Sequence, residues 1–219
     1  FDTRLKRDLG TPVGVIEDAQ PTLVTRTLYD VGHLDEALSS KVRAERRSTA
    51  SGQLFDAVVN TYQVDELDPA GVSYAYVTET HREVFEGHDT PVVTLSRFER
   101  DAYGNVTSEI HDGIVSGRAE TDGDERRIER TFANNTEAWV LGRLVREATY
   151  GAAGERLAEK VHFYDGAPQE GLPQGQLTRG ELTRVRAWVN GDAWVDIERI
   201  ARNDDGLPVE TTDARGSRS

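Results

Sequence analysis

A short polar turn with a glycine at its fourth position recurs along this chain, and it constrains the fold more than any other feature. Its clearest copy lies in residues 97–113, RFERDAYGNVTSEIHDG. Asp101 can accept hydrogen bonds from the backbone that follows it, Gly104 takes a positive φ at no steric cost, and Asn105 tolerates one better than most residues do. After the turn, Val106, Ser108 and Ile110 alternate with Thr107, Glu109 and His111, the two-residue period of a strand with one better-buried face. His111-Asp112-Gly113 then reads as a second turn, so the stretch predicts strand, turn, strand, turn.

The pattern returns in weaker form. DAYGNV at 101–106 aligns with NDDGLP at 203–208, Gly104 matching Gly206, and looser copies are TASGQL at 49–54 and GAAGER at 151–156. Tyr-Asp pairs stand at Tyr29-Asp30 and Tyr164-Asp165. Repetition of this kind predicts an all-β chain of stacked antiparallel hairpins with little helix.

Between the turns the sequence supplies strands. Residues 22–29 (TLVTRTLY) and 57–63 (AVVNTYQ) are rich in β-branched and aromatic side chains, which suit a pleated surface. Residues 30–40 predict one helical turn or a long loop, and 65–71 (DELDPAG) a hairpin connection. Val72, Tyr74 and Tyr76 share one face of the next strand, 87–91 turns the chain, and 114–124 reads as a loop. Residues 126–132 are strand-like, and Gly142 argues against a helix over 138–150. Asn190-Gly191 is the preferred central pair of a two-residue hairpin turn; centred there, it sets Trp188 opposite Ala193 and Trp194 opposite Ala187. The opening residues 1–20, with Gly10, Pro12 and Gly14, predict an irregular or edge-strand lead-in.

Charged residues make up 30% of the chain and the net charge is −13. Nucleic acid and anionic membranes are poor partners for that balance, because phosphate recognition needs a basic stripe. No apolar run reaches the roughly 20 residues of a spanning helix, and residues 1–20 lack the pattern of a signal peptide. With no Cys there are no disulfides or thiolate sites. With no Met and Phe1 at its start, the chain is expected to be a fragment or processed piece, one segment over residues 1–219, and Asp213-Ala214-Arg215-Gly216 reads as a turn leading into a further strand.

On these residues the chain resembles the YD-repeat proteins, which include Rhs proteins and the B components of bacterial insecticidal toxin complexes. Their repeats centre on Tyr-Asp, two variable residues, then Gly-Asn and an apolar residue; Asp101, Gly104, Asn105 and Val106 match, with Arg100 in place of the Tyr. Residues 131–142 (TFANNTEAWVLG) and 160–180 (KVHFYDGAPQEGLPQGQLTRG) are similar to stretches of the toxin-complex B component. The resemblance implies a section of a secreted bacterial shell, built from a curved or spiral sheet, that encloses a toxic C-terminal segment. The partners it implies are the rest of its own polypeptide, other toxin-complex subunits and the enclosed toxin. It implies no catalytic residue, metal or cofactor in this section. The family's self-cleaving aspartyl site includes Asp-Pro-x-Gly; Asp68-Pro69-Ala70-Gly71 has those letters but lies in the first third of the chain and reads as a plain turn.

The remaining residues point only weakly to other chemistry. His33, His81, His88, His111 and His162 are scattered, and a hairpin that joined His81 and His88 with Glu83 and Glu86 is the one arrangement that suggests a metal or acid/base site. Asp122, Asp124 and Glu125 around Gly123, and Asn203, Asp204 and Asp205 before Gly206, are oxygen-rich turns. Neither has the twelve-residue calcium loop with its terminal Glu. No serine elbow or phosphate loop is present. Trp139, Trp188, Trp194, Tyr74 and Tyr76 suit cross-strand packing first and stacking on a sugar second. The expectation is therefore a non-enzymatic structural segment, with a carbohydrate-binding or adhesive β-module and a hydrolase of unlocated carboxylates as alternatives.

Overall fold

A computed structural model describes residues 2–4, 23–33, 35–67, 71–117 and 123–219. The protein is all-β: among the described residues thirteen strands are hydrogen-bonded in chain order, neighbours pairing antiparallel. The described residues contain one helical element, a 3₁₀ turn at Glu36–Leu38 capped by the Asp35 carboxylate, which accepts the Ala37 N–H. Contacts group the chain into two compact units, Phe1–Phe98 with His111–Asp124 and Glu99–Ile110 with Glu125–Ser219.

The first unit contains β1 (Asp2–Arg4), β2 (Val24–Tyr29), β3 (Val42–Ser48), β4 (Leu54–Leu67) and β5 (Val72–Val84), with parts of β6 (Val92–Arg100) and β7 (Val106–Gly117). Among its described residues the buried apolar ones are few: Leu38 from the 3₁₀ turn, Ala44 of β3 and Ala57 of β4. Polar bonds reinforce the ladder where apolar contact is thin. Asn60 and Tyr62 both donate from β4 to the Val42 carbonyl, at 3.1 and 3.0 Å.

The second unit holds β8 (Arg126–Asn135), β9 (Val140–Gly151), β10 (Arg156–Tyr164), β11 (Leu182–Asn190), β12 (Ala193–Arg202) and β13 (Pro208–Asp213). Ala133, Val145, Tyr164 and Leu177 form its buried cluster, flanked by Val140 and Leu182. Leu177 belongs to the long loop between β10 and β11, so that loop folds back onto the sheet. Asn135 holds it there by donating to the Leu177 carbonyl at 3.2 Å.

The repeated turn has one geometry. At Thr49, Asp101, Gly151, Asn203 and Asp213 the first residue's N–H donates to the fifth residue's carbonyl, at 2.8–3.0 Å, and the glycine's N–H donates back to the first carbonyl at 3.0 Å. The glycines have φ between +79° and +94°. This is the three-residue hairpin loop that ends on a left-handed residue. Where the first residue carries an acceptor, its side chain completes the turn: Asp101 accepts from Tyr103 and Asn105, Asn203 from Asp205 and Leu207, Asp213 from Arg215 and Ser217. The strand pairing then slips by one residue at the same offset, leaving Phe55, Leu157 and Val209 as bulges six residues after Thr49, Gly151 and Asn203. The four interior turns lie 52, 50 and 52 residues apart. The expectation of hairpin repeats is met in the turns; the bulge that follows three of them is a regularity the sequence reading did not include.

Several expectations are corrected. Residues 65–67 extend β4 instead of opening a loop; 68–70 lie outside the described residues, as do 5–22. No turn forms at Gly113: β7 continues to Gly117, so residues 114–117 of the expected loop are strand, and 118–122 lie outside the described residues. Gly113 sits at φ +64°, with the Asp124 carboxylate packed where a Cβ would be and accepting the Ile114 N–H. Nor has β7 a better-buried face, for residues 106–114 are all half-buried. Long side chains cover both sides there, His111 bonded to Ser96 at 2.9 Å and Asp112 to Arg97 at 2.8 Å.

The Trp188 register differs as well. Trp188 faces Trp194, Ala187 faces Val195, and Asn190 faces Ala193. Gly191, at φ +46°, takes the first central position of the turn, as in a type II′ hairpin. Asn190 therefore stays in the strand and Val189 is left as a bulge.

Candidate functional site

The most built part of the molecule is the loop that leaves β10 after Tyr164. Burial pushes up the pKa of the Tyr164 hydroxyl, which donates to the Leu144 carbonyl at 2.7 Å. Asp165 then turns the chain at φ +54° and is buried, 8% exposed. Its carboxylate gathers four backbone donors from the far end of the loop: Thr178, Arg179 and Gly180 on Oδ2 at 2.6, 3.1 and 3.1 Å, and Glu181 on Oδ1 at 2.9 Å. Burial works to raise its pKa, but the four N–H groups outweigh it and hold the carboxyl below the usual Asp range.

Around this carboxylate lies a cleft of about 350 Å³, lined among others by Thr178, Arg179, Glu181, Thr183, Arg202 and Asp204. Its polar groups are engaged in holding backbone. Thr183 donates to the carbonyls of Phe163 and Asp165 at 3.1 and 3.3 Å. Arg202 donates to Leu182 and Gly206 at 3.0 and 2.8 Å. Arg179 pairs with Glu181 at 2.9 Å and donates to the Asp204 carbonyl at 3.3 Å. No nucleophile here is hydrogen-bonded to a base, and the one buried carboxylate has its oxygens aimed at amides. Chemically the site is a clamp.

A second charged cluster crosses β9, β10 and β11. Glu159, buried, receives Arg146 at 2.6 Å and Arg156 at 2.5 Å. Its burial is again outweighed, here by two guanidinium groups, and its pKa is lowered while that of Arg146 is raised. Arg156 also lies over the Trp188 ring at 4.1 Å, and the Trp188 indole N–H donates to the Gly191 carbonyl at 2.9 Å. Arg127 over Tyr150 and Arg186 over Trp194 repeat the arrangement. These aromatics pack with cations in the sheet, as cross-strand packing predicted.

The other sequence candidates fall separately. His81 lies 3.9 Å from Glu79, and among the described residues no three His, Asp or Glu side chains are grouped to hold a metal. Asp122 lies outside the described residues, Asp124 caps Ile114, and Asn203 caps its own turn. His162 is half-buried with Nδ1 unpartnered, and burial lowers its pKa. Tyr74 and Tyr76 stack on each other with centroids 5.3 Å apart.

Two features escaped sequence reading. In sequence Asp165 is only half of a Tyr-Asp pair, although the glycine- and proline-rich loop after it signals that something must hold that loop. Trp139 was seen only as an aromatic, yet it occupies a left-handed position at φ +55° and is 78% exposed. No helix among the described residues is long and apolar enough to cross a membrane. No protein family profile matches the chain, and no curated protein matches it.

Proposed function

We propose that this chain is a non-enzymatic wall segment of a secreted YD-repeat or Rhs-type toxin shell, which encloses a toxic C-terminal cargo. The observation that carries the reading is the repeated turn with its bulge at a constant offset. A repeat that conserves backbone hydrogen bonding while its side chains vary serves to propagate a sheet. The pattern also explains the motif behind the resemblance. Asp101 accepts the N–H groups two and four residues on, Gly104 supplies the left-handed step, and the Asn105 amide returns a bond to the Asp101 carboxylate at 2.9 Å. Containment needs stiffness and shape, which such ladders supply. The partners of the segment are the rest of its polypeptide, the cargo and other toxin-complex subunits.

The test is limited proteolysis of the parent polypeptide. A C-terminal segment protected in the intact protein, and cleaved once Asp101→Ala and Asp165→Ala together disrupt the wall, is the expected result. A segment cleaved equally fast in both overturns it, as does release of sugar from glycans by the purified 219-residue chain.

A further inference from the structure

The chain has six asparagines, and only Asn190 is followed by glycine. The fold also treats its side chain unlike the other five, whose amides are all tied down. Asn60 donates to the Val42 carbonyl and accepts from Thr80, and Asn105 donates to the Asp101 carboxylate. Asn134 accepts the Gly142 N–H, Asn135 that of Ala138, and Asn203 those of Asp205 and Leu207. The Asn190 side chain is exposed and has no hydrogen-bond partner among the described residues. Its amide carbon is therefore free to turn toward a nucleophile.

The next residue supplies one. A backbone nitrogen that follows an asparagine can reach the side-chain amide carbon by closing a five-membered ring, and a side chain on that next residue obstructs the approach. Thr61, Val106, Asn135, Thr136 and Asp204 follow the other asparagines. Gly191 has no Cβ, and nothing lies within 4 Å of where one would stand. Its N–H donates to no group among the described residues. Ring closure still requires Asn190 to leave its strand conformation, and the hairpin tip permits this. Because Val189 is a bulge, the Asn190–Ala193 pair is a single rung beyond the break in the ladder. A lone rung at an exposed tip opens far more readily than the ladder behind it.

We propose that Asn190 is a site of spontaneous deamidation and isoaspartate formation, independent of the wall function. The Gly191 nitrogen bonds to Asn190 Cγ, and its proton leaves with the side-chain nitrogen as ammonia, which gives a cyclic imide. Water then breaks one of the two ring C–N bonds of that imide. Cleavage at Cγ yields aspartate; cleavage at the main-chain carbonyl leaves the chain running through Cγ as isoaspartate. Both products gain a negative charge, and isoaspartate also lengthens the main chain by a methylene just ahead of Gly191. The Gly191 carbonyl accepts the Trp188 indole N–H at 2.9 Å and Arg156 at 3.3 Å, and Arg156 lies over the Trp188 ring while paired with Glu159. Isoaspartate at the tip therefore displaces the acceptor that holds Trp188.

The test incubates the 219-residue chain in mildly alkaline buffer at body temperature and follows it by peptide mass mapping, with fragmentation that distinguishes isoaspartate from aspartate. Asn190 should convert at least about tenfold faster than any other asparagine, to both products, and faster as pH rises because the deprotonated amide is the nucleophile. Asn190→Gln, which would need a larger ring, should lose the fast conversion with an unchanged thermal midpoint. In the isoaspartate form, isolated by chromatography, the Trp188 indole proton should exchange with solvent faster than in the starting protein. Earlier conversion of another asparagine overturns the site, as does an intact Asn190 in the folded chain under conditions where the urea-unfolded chain converts. Unchanged indole exchange overturns the link to Trp188.

Discussion

The two Tyr-Asp loops start alike and are held differently. Just before Tyr29 and just before Tyr164 the strand ladder slips by one residue, leaving Arg43 and Thr183 as the bulges opposite. In both, the Asp N–H donates across the loop's base, Asp30 to the Lys41 carbonyl at 2.8 Å and Asp165 to that of Glu181 at 2.7 Å. In both, the residue before that carbonyl is left-handed, Ser40 at φ +65° and Gly180 at φ +72°. The bulge side chain ties back to the Asp each time: Arg43 to the Asp30 carboxylate at 2.9 Å, Thr183 to the Asp165 carbonyl at 3.3 Å. The loops between then part company. Residues 31–40 carry their own 3₁₀ turn, and Asp30 spends its carboxylate on Gly32 and Arg43. Residues 166–180 have no such element, and Asp165 binds four amides from their far end. A short loop is closed by local structure, whereas a longer one is closed by a buried anion that its own backbone surrounds.

The sharpest way to break this comparison is to remove the two carboxylates in turn. Asp165→Ala strands four N–H groups, that of Gly180 in a buried bond and the other three in part-buried ones, and should cost about 3 kcal/mol, read as a lowered urea midpoint. Asp30→Ala should cost much less, because its loop keeps the 3₁₀ turn. An equal loss from both would show that the loops are held in the same way. The pH dependence follows. The folded pKa of Asp165 lies below the ordinary value of about 3.9, so below that value the unfolded chain binds the extra proton. The stabilisation is present above about pH 4 and is lost as pH falls through the folded pKa. The gap between wild type and Asp165→Ala should therefore narrow on acidification below about pH 4.

The comparison also shows what a sequence reveals. The turns at Asp101 and Asn203 were legible because all their bonds lie within five residues, and residue type alone dictates them. The 3₁₀ turn at Glu36–Leu38 lay inside the stretch expected to give one helical turn or a long loop. The Asp165 clamp was not legible, since its donors stand 13 to 16 residues away and nothing local distinguishes a capping Asp from a clamping one. The Trp188 register failed for a related reason. Asn-Gly named the hairpin correctly, but whether it or Gly191-Asp192 forms the centre depends on where the ladder bulges, and that is settled across two strands. Trp139 is the opposite case, a left-handed and exposed residue that local rules argue against.

Exchanging the left-handed residues sharpens the comparison further. Gly180 is buried in the second loop, and a Cβ there would fall 2.6 Å from a Val140 methyl and 2.7 Å from the Arg143 Nε. Gly180→Ser should cost about 2 kcal/mol from the left-handed backbone and the displaced neighbours. At about 3 °C per kcal/mol for a chain of this size, the melting temperature should drop by roughly 6 °C. A change under about 1 °C would mean that the loop's end can leave the sheet without loss, against its role as the clamp's far side.

The reciprocal change, Ser40→Gly, is the smallest effect and the most diagnostic of the shorter loop. Ser40 is exposed, and its N–H already donates to the Asp30 carbonyl at 2.9 Å, a bond that glycine keeps. Relief of the left-handed backbone is worth about 1 kcal/mol or a little more, while glycine's greater freedom in the unfolded chain takes back about 0.4–1 kcal/mol. The net is a gain of about 0.5 kcal/mol, or roughly 1–2 °C, measurable by calorimetry. A loss in its place would mean that the serine side chain contributes to the 31–40 loop, and the shorter loop would then depend on its side chains as the longer one depends on Asp165.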